Sequence, residues 1–96
     1  MNQQSMKKRV HIFYSGRVVG VGFRLTAEET ARQFRVTGWV KNLRDGRVEL
    51  IAEGEETILT RFLEAIRLGP MKNFIQKEDV SRSDASGTFE EFEIRH

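Results

Sequence analysis

Val10-His11-Ile12-Phe13-Tyr14-Ser15-Gly16-Arg17-Val18-Val19-Gly20-Val21-Gly22-Phe23-Arg24 is the stretch whose reading decides the fold. Its first five residues are mostly β-branched or aromatic and stop at Ser15-Gly16, the pattern of a strand ending in a turn. From Phe23 the period changes. Phe23, Ala27, Thr30, Ala31 and Phe34 recur at i, i+4, i+7, i+8 and i+11, one face of a helix. Between strand and helix lie Gly16, Gly20 and Gly22. Glycine reaches positive φ without steric penalty, and successive amides turned into one concavity before a helix form a nest for an anion. Neither common glycine fingerprint fits, because Gly20-Val21-Gly22 runs into Phe23-Arg24-Leu25 and no Gly-Lys-Ser/Thr closes the loop. On its glycines alone the segment reads first as a strand-to-helix turn.

Thr26-Ala27-Glu28-Glu29 matches a capping box and offers a later helix start. The earlier start is preferred because Phe23 belongs to the apolar stripe. Glu28 and Glu29 precede Arg32 and Arg35, as the helix dipole favours, and Gly38 is expected to end the helix. Trp39–Leu43 and Val48–Ala52 then flank Arg44-Asp45-Gly46-Arg47, a hairpin signal. A second helix is expected after Gly54, with Ile58, Phe62, Ala65 and Ile66 as its buried stripe and Gly69-Pro70 as its stop. Phe74–Arg82 reads as a charged strand, Ser83–Gly87 as a turn, and Phe89, Phe92 and Ile94 as a last strand. The order strand, helix, strand, strand, helix, strand predicts an α+β, ferredoxin-like sandwich: βαββαβ, an antiparallel sheet with both helices on one face. Residues 1–7 are expected to form a flexible N-terminus and residues 8–96 one domain.

Ninety-six residues suffice for one core. The 39% hydrophobic and 31% charged composition is that of a soluble globular domain. The formal net charge is +2, and Lys7-Lys8-Arg9 is the only basic run, so no nucleic-acid partner is indicated. Without cysteine there is no disulfide, thiolate nucleophile or cysteine-held zinc. His11 and His96 are far apart, and Glu53-Gly54-Glu55-Glu56 lacks converging partners, so no metal or other cofactor is expected. No apolar run approaches a membrane span and Met1–Met6 lacks a signal-peptide core. A cytoplasmic monomer is the expectation. Trp39, Tyr14 and His11 read as packing or surface residues, with Trp39 a candidate neighbour of the site.

In this topology the loop lies at an end of the sheet. Arg24, one residue into the helix, can reach back over it with a planar, permanently charged guanidinium suited to two phosphate oxygens. Asn42 closes the strand before the hairpin, where asparagine is uncommon. Its carboxamide both donates and accepts, so it can hold a water in one orientation. The plainer readings remain: a solvated helix arginine and a turn asparagine.

Gly16-Arg17-Val18-Val19-Gly20-Val21-Gly22-Phe23-Arg24 resembles the G-R-V-Q-G-V-x-F-R signature of acylphosphatases. Gly38-Trp39-Val40-Lys41-Asn42-Leu43, followed by Asp45-Gly46 and Val48-Glu49, resembles that family's second signature, G-W-V-x-N-x-x-D-G-x-V-E. Gly54, the segment around Phe62 and Gly69-Pro70 extend the resemblance across residues 9–95. It implies the same sandwich fold and metal-independent hydrolysis of small acyl phosphates to a carboxylate and inorganic phosphate. By position it implies Arg24 as phosphate ligand, Asn42 as the residue orienting water, and the amides of Arg17, Val18, Val19, Gly20, Val21 and Gly22 as the cradle. Val19 stands where glutamine is usual, Gly22 is expected to add flexibility, Met71-Lys72-Asn73-Phe74 departs from small and apolar residues, and Arg95-His96 lacks a final aromatic. The alternatives are a non-catalytic anion-binding module on the same fold, including a regulatory domain of a larger carbamoyl-phosphate enzyme, and a single-strand RNA binder. The chain's own start favours independence, and the sheet lacks the glycine-aromatic signature of RNA binders.

Overall fold

The computed structural model describes residues 7–96. The elements are β1 (Lys7–Gly16), α1 (Phe23–Phe34), β2 (Thr37–Asn42), β3 (Val48–Glu55), α2 (Glu56–Leu68), a 3₁₀ turn (Lys72–Phe74), β4 (Ile75–Asp84) and β5 (Phe92–Arg95). Of the flexible segment expected over 1–7, residues 1–6 lie outside the described residues. Lys7 is already in β1, opposite Glu55.

Side-chain alternation sorts the sheet into two faces. Val10, Ile12 and Tyr14 of β1 stand opposite Ala52, Leu50 and Val48 of β3. With Val40 they join Phe23, Ala27 and Ala31 of α1 and Leu59, Phe62, Leu63 and Ile66 of α2 in one buried cluster. Both helices therefore cover the same face, as the element order required. The buried stripe of α2 includes Leu59 and Leu63 in place of the expected Ile58 and Ala65, which are only partly covered. Contact with α1 as well as the sheet turns the helix toward that side.

The strand order is β4-β1-β3-β2-β5. The first three pairings are antiparallel, but β5 runs parallel to β2, so the sheet is mixed. The reason is the route of the chain. β4 ends where Asp84 faces Lys8, at the end of the sheet where β2 begins opposite Glu53. The chain crosses that end and enters beside Gly38, whose amide donates to the Glu91 carbonyl (3.0 Å). Ser83 and Asp84, expected in a turn, are the last rungs of β4.

Two other expectations change. α1 is ended by Arg35, in the left-handed region at φ 57°, whose amide reaches the Ala31 and Arg32 carbonyls. Gly38 lies inside β2, and a Cβ there would stand 1.9 Å from the Ile51 carbonyl oxygen. That glycine serves close strand approach. Thr26 caps nothing; it lies inside α1, where its carbonyl accepts from the Thr30 hydroxyl (2.7 Å).

The crossing segment is fixed by Glu53, which is only 4% exposed. Its Oε2 accepts from Arg9 Nε (2.8 Å), the Ser86 amide (2.8 Å) and the Ser86 hydroxyl (3.0 Å), and its Oε1 accepts from the Gly87 amide (3.0 Å). Burial pushes the carboxyl upward, but the Ser86 and Gly87 amides, Arg9 and the Ser86 hydroxyl outweigh it and hold it below the usual carboxylate range. A carboxylate lowered on folding stabilises the protein above its unfolded pKa, and the contribution disappears as pH falls through the native value. Glu53→Ala is therefore expected to lower stability by about 3 kcal/mol in urea unfolding at neutral pH. The gap from wild type should narrow as the medium is acidified below the ordinary carboxylate range.

Candidate active site

Val18, Gly20, Gly22, Phe23, Arg24, Leu25, Asn42, Ile94 and His96 line a cavity of about 300 Å³ at the end of the sheet. The structure thus brings together Arg24 and Asn42, which sequence spacing alone could only nominate separately. Asn42 is the last residue of β2 and stands opposite Val48. Two residues earlier, Val40 faces the helices, so alternation turns Asn42 to the same side, beneath the start of α1. Trp39 falls on the opposite face, between Arg95 (5.0 Å to the ring centroid) and Lys41 (5.5 Å), and does not line the cavity. His11 also lies on that outer face, with Nε2 2.7 Å from Glu49 Oε2.

The loop owes its shape to Gly20 (φ 84°) and Gly22 (φ 83°), both left-handed. Gly22 is the N-cap of α1 and supplies no side chain to the helix start, and the first turn carries no acidic residue. A helix start with neither cap nor acid leaves its amides and the positive end of its dipole open to an external anion. The first helical amide bond in α1 is Thr26 N–H to Gly22 O (3.1 Å), and the amides of Val18, Val19, Gly20, Val21 and Gly22 have no acceptor among the described residues. Arg17 is the correction. Its amide donates to the Phe74 carbonyl (2.9 Å) and is thereby withdrawn from the cradle. The same carbonyl lies 2.4 Å from where a Cβ on Gly16 would be, so the loop's entry is pinned to the segment after α2.

The floor is apolar and rigid. Val18 is 1% exposed, and the Tyr14 ring packs on Phe23 with centroids 4.9 Å apart. Tyr14 is core; burial, with Glu78 nearby, holds its phenol well above the usual tyrosine range, so it takes no part in proton transfer. Met71 is likewise buried in the cluster, and Phe74 is partly buried against it and anchors the loop through its carbonyl, whereas Lys72 and Asn73 are exposed.

Arg24 is in no ion pair among the described residues. Its one hydrogen-bond partner is His96, Nη1 to Nδ1 at 3.2 Å. Arginine only donates, so His96 accepts at this contact through Nδ1. Sequence reasoning missed His96 as a site residue, because the parallel β5 that delivers it was invisible in the pattern. No cluster of three or more His, Cys, Asp or Glu able to hold a metal occurs among the described residues. No described helix is long and apolar enough to cross a membrane.

Fold and cavity together define an α+β sandwich whose first loop and helix start leave amides without acceptors among the described residues, beside an arginine and an asparagine. The family model for acylphosphatase matches residues 10–94. An acylphosphatase of Salinibacter ruber is 45% identical over 93% of this chain and 94% of its own, and that of Methylococcus capsulatus is 42% identical over 91% and 95%. The crystal structure of acylphosphatase from Bacillus subtilis superposes with a TM-score of 0.86 at 37% identity, covering 93% of this chain and 99% of that one. The chain belongs to the acylphosphatase family.

Gly22 holds a left-handed backbone at φ 83°. Nothing lies within 4 Å of a Cβ placed at Gly22. Gly22→Ala should therefore cost only the left-handed backbone term, about 1 kcal/mol in urea unfolding. Gly16→Ala should cost distinctly more, because its Cβ meets the Phe74 carbonyl.

Proposed function

We propose that the chain is a metal-independent acylphosphatase that cleaves the carboxyl–phosphate bond of small acyl phosphates. The observation that carries this is the joint placement of Val18, Gly20, Gly22, Arg24 and Asn42 around one cavity, where the Val18, Gly20 and Gly22 amides have no acceptor and Arg24 no ion pair among the described residues. The amides and the Arg24 guanidinium receive the non-bridging phosphoryl oxygens, Arg24 through two parallel N–H bonds. Asn42 holds a water against phosphorus on the side away from the acyl oxygen. The water oxygen bonds to phosphorus as the phosphorus–acyl oxygen bond breaks. That electron pair leaves on the carboxylate, and a proton of the water passes to a phosphoryl oxygen. The carboxylate is a good leaving group, so positioning and charge stabilisation supply most of the rate. No protein nucleophile, metal or other cofactor takes part. The products are a carboxylate and inorganic phosphate, and the protein acts as a cytoplasmic monomer without a nucleic-acid or membrane partner.

Arg24 is in no ion pair among the described residues, so binding phosphate breaks none. The purified protein is expected to hydrolyse acetyl phosphate in excess EDTA at the rate seen without it. Asn42→Ala should lower kcat by roughly 10²–10³ with little change in inorganic phosphate affinity, the size typical of one aimed polar group. Arg24→Ala should lower kcat/KM at least as far and also weaken phosphate binding. Phosphate binding without turnover in wild type would establish the non-catalytic module instead, and loss of activity in EDTA would refute the metal-free reaction.

A further inference from the structure

Val19, Leu25, Leu68 and Val80 are the large apolar side chains left exposed among the described residues. Two of the four, Val19 at 43% and Leu25 at 61%, flank the cradle. Isolated exposed apolar residues need no explanation, but these two sit in the loop and first helical turn that hold Arg24. Leu25 lines the cavity together with Ile94, which is partly buried against the core. Val18, Phe23, Leu25 and Ile94 are the apolar lining of that cavity, and its hydrogen-bonding side chains are Arg24, Asn42 and His96. Asn42 is assigned to the water, and His96 Nδ1 accepts from Arg24.

We infer that Leu25 and Ile94 form an acyl subsite that selects uncharged, branched or otherwise apolar acyl groups and disfavours acyl groups bearing a second carboxylate. The inference rests on the acylphosphatase reading. Arg24 is the only permanently charged cation lining the cavity, and the phosphoryl group takes it. A carboxylate on the acyl group would then be moved from water to the Leu25–Ile94 side with no counter-charge, which is unfavourable. A branched alkyl group in the same place instead removes its own surface and that of Leu25 from water.

The test compares acetyl, isobutyryl and succinyl phosphate. The first two release carboxylates of closely matched basicity, so their difference reports the subsite and not the leaving group. Wild type should show kcat/KM for isobutyryl phosphate roughly fivefold to tenfold above acetyl phosphate, the discrimination available to one or two methyl groups in an apolar site. Succinyl phosphate should fall below acetyl phosphate. Leu25→Ser should remove most of the isobutyryl-to-acetyl ratio, and Leu25→Lys should raise the succinyl-to-acetyl ratio above the wild-type value. Leu25 is largely exposed, so both variants retain the fold; their urea midpoints check this. Hydrolysis of all three substrates with no isobutyryl preference, or ratios unchanged in both variants, overturns the subsite while leaving the activity standing. Absence of hydrolysis of every substrate overturns the activity and the subsite together.

Discussion

Peptide N–H groups without acceptors are the constraint on which this molecule is arranged. Between Val18 and the first turn of α1 the chain makes no amide hydrogen bond until Thr26 donates to Gly22. Water satisfies such groups when the site is empty, so the arrangement is tolerable only at the surface. At its far end α1 is closed: Arg35 turns left-handed to serve the Ala31 and Arg32 carbonyls. At its start it has Gly22 where Ser, Thr, Asp or Asn would have capped. A side-chain cap typically contributes about 1 kcal/mol. Leaving it out is what keeps the positive end of the helix available to an anion.

An open loop binds well only if it is held in its binding shape, since ordering it at the moment of binding weakens affinity. Three contacts do that holding. Arg17 N–H is tied to Phe74, Val18 is sunk in the core, and Phe23 packs against Tyr14. Phe74 is the last residue of the 3₁₀ turn that links α2 to β4, so the segment after the second helix helps hold the loop. Both faces of the sheet are thereby assigned. One carries the helices and the cavity; the other carries the His11–Glu49 pair and Trp39 between two cations.

The periodicity switch at Phe23, the Asp45-Gly46 hairpin and the Gly69-Pro70 stop were legible because each is local: a few residues determine the backbone there. The core face of β1 and the pairing of β2 with β3 followed from the same local signals. The parallel β5 was not legible. Its direction depends on where β4 ends and which edge of the sheet is free, neither of which leaves a mark in Phe92–Arg95. His96 was missed for that reason, and Arg17 was placed in the cradle because a signature treats every loop amide alike. Only the fold reveals that Phe74 claims that one. Gly38 was likewise readable as a glycine needing unusual backbone but not as a strand residue, since the reason lies in Ile51 across the ladder.

Arg24 shows how the chain's charges are divided between structure and function. Arg9, Arg32, Arg47, Arg67 and Arg95 each hold a carboxylate within 3.3 Å. Arg24, the one that faces the cavity, rests on an imidazole. A carboxylate partner would orient the guanidinium equally well, but an arriving phosphate would then have to break an ion pair or meet a second negative charge beside it. An imidazole acceptor restrains the side chain without adding a carboxylate beside the cavity. On the proposed reading the phosphoryl group takes the one permanent cation that lines the cavity, and Leu25 and Ile94 are left to face the acyl group.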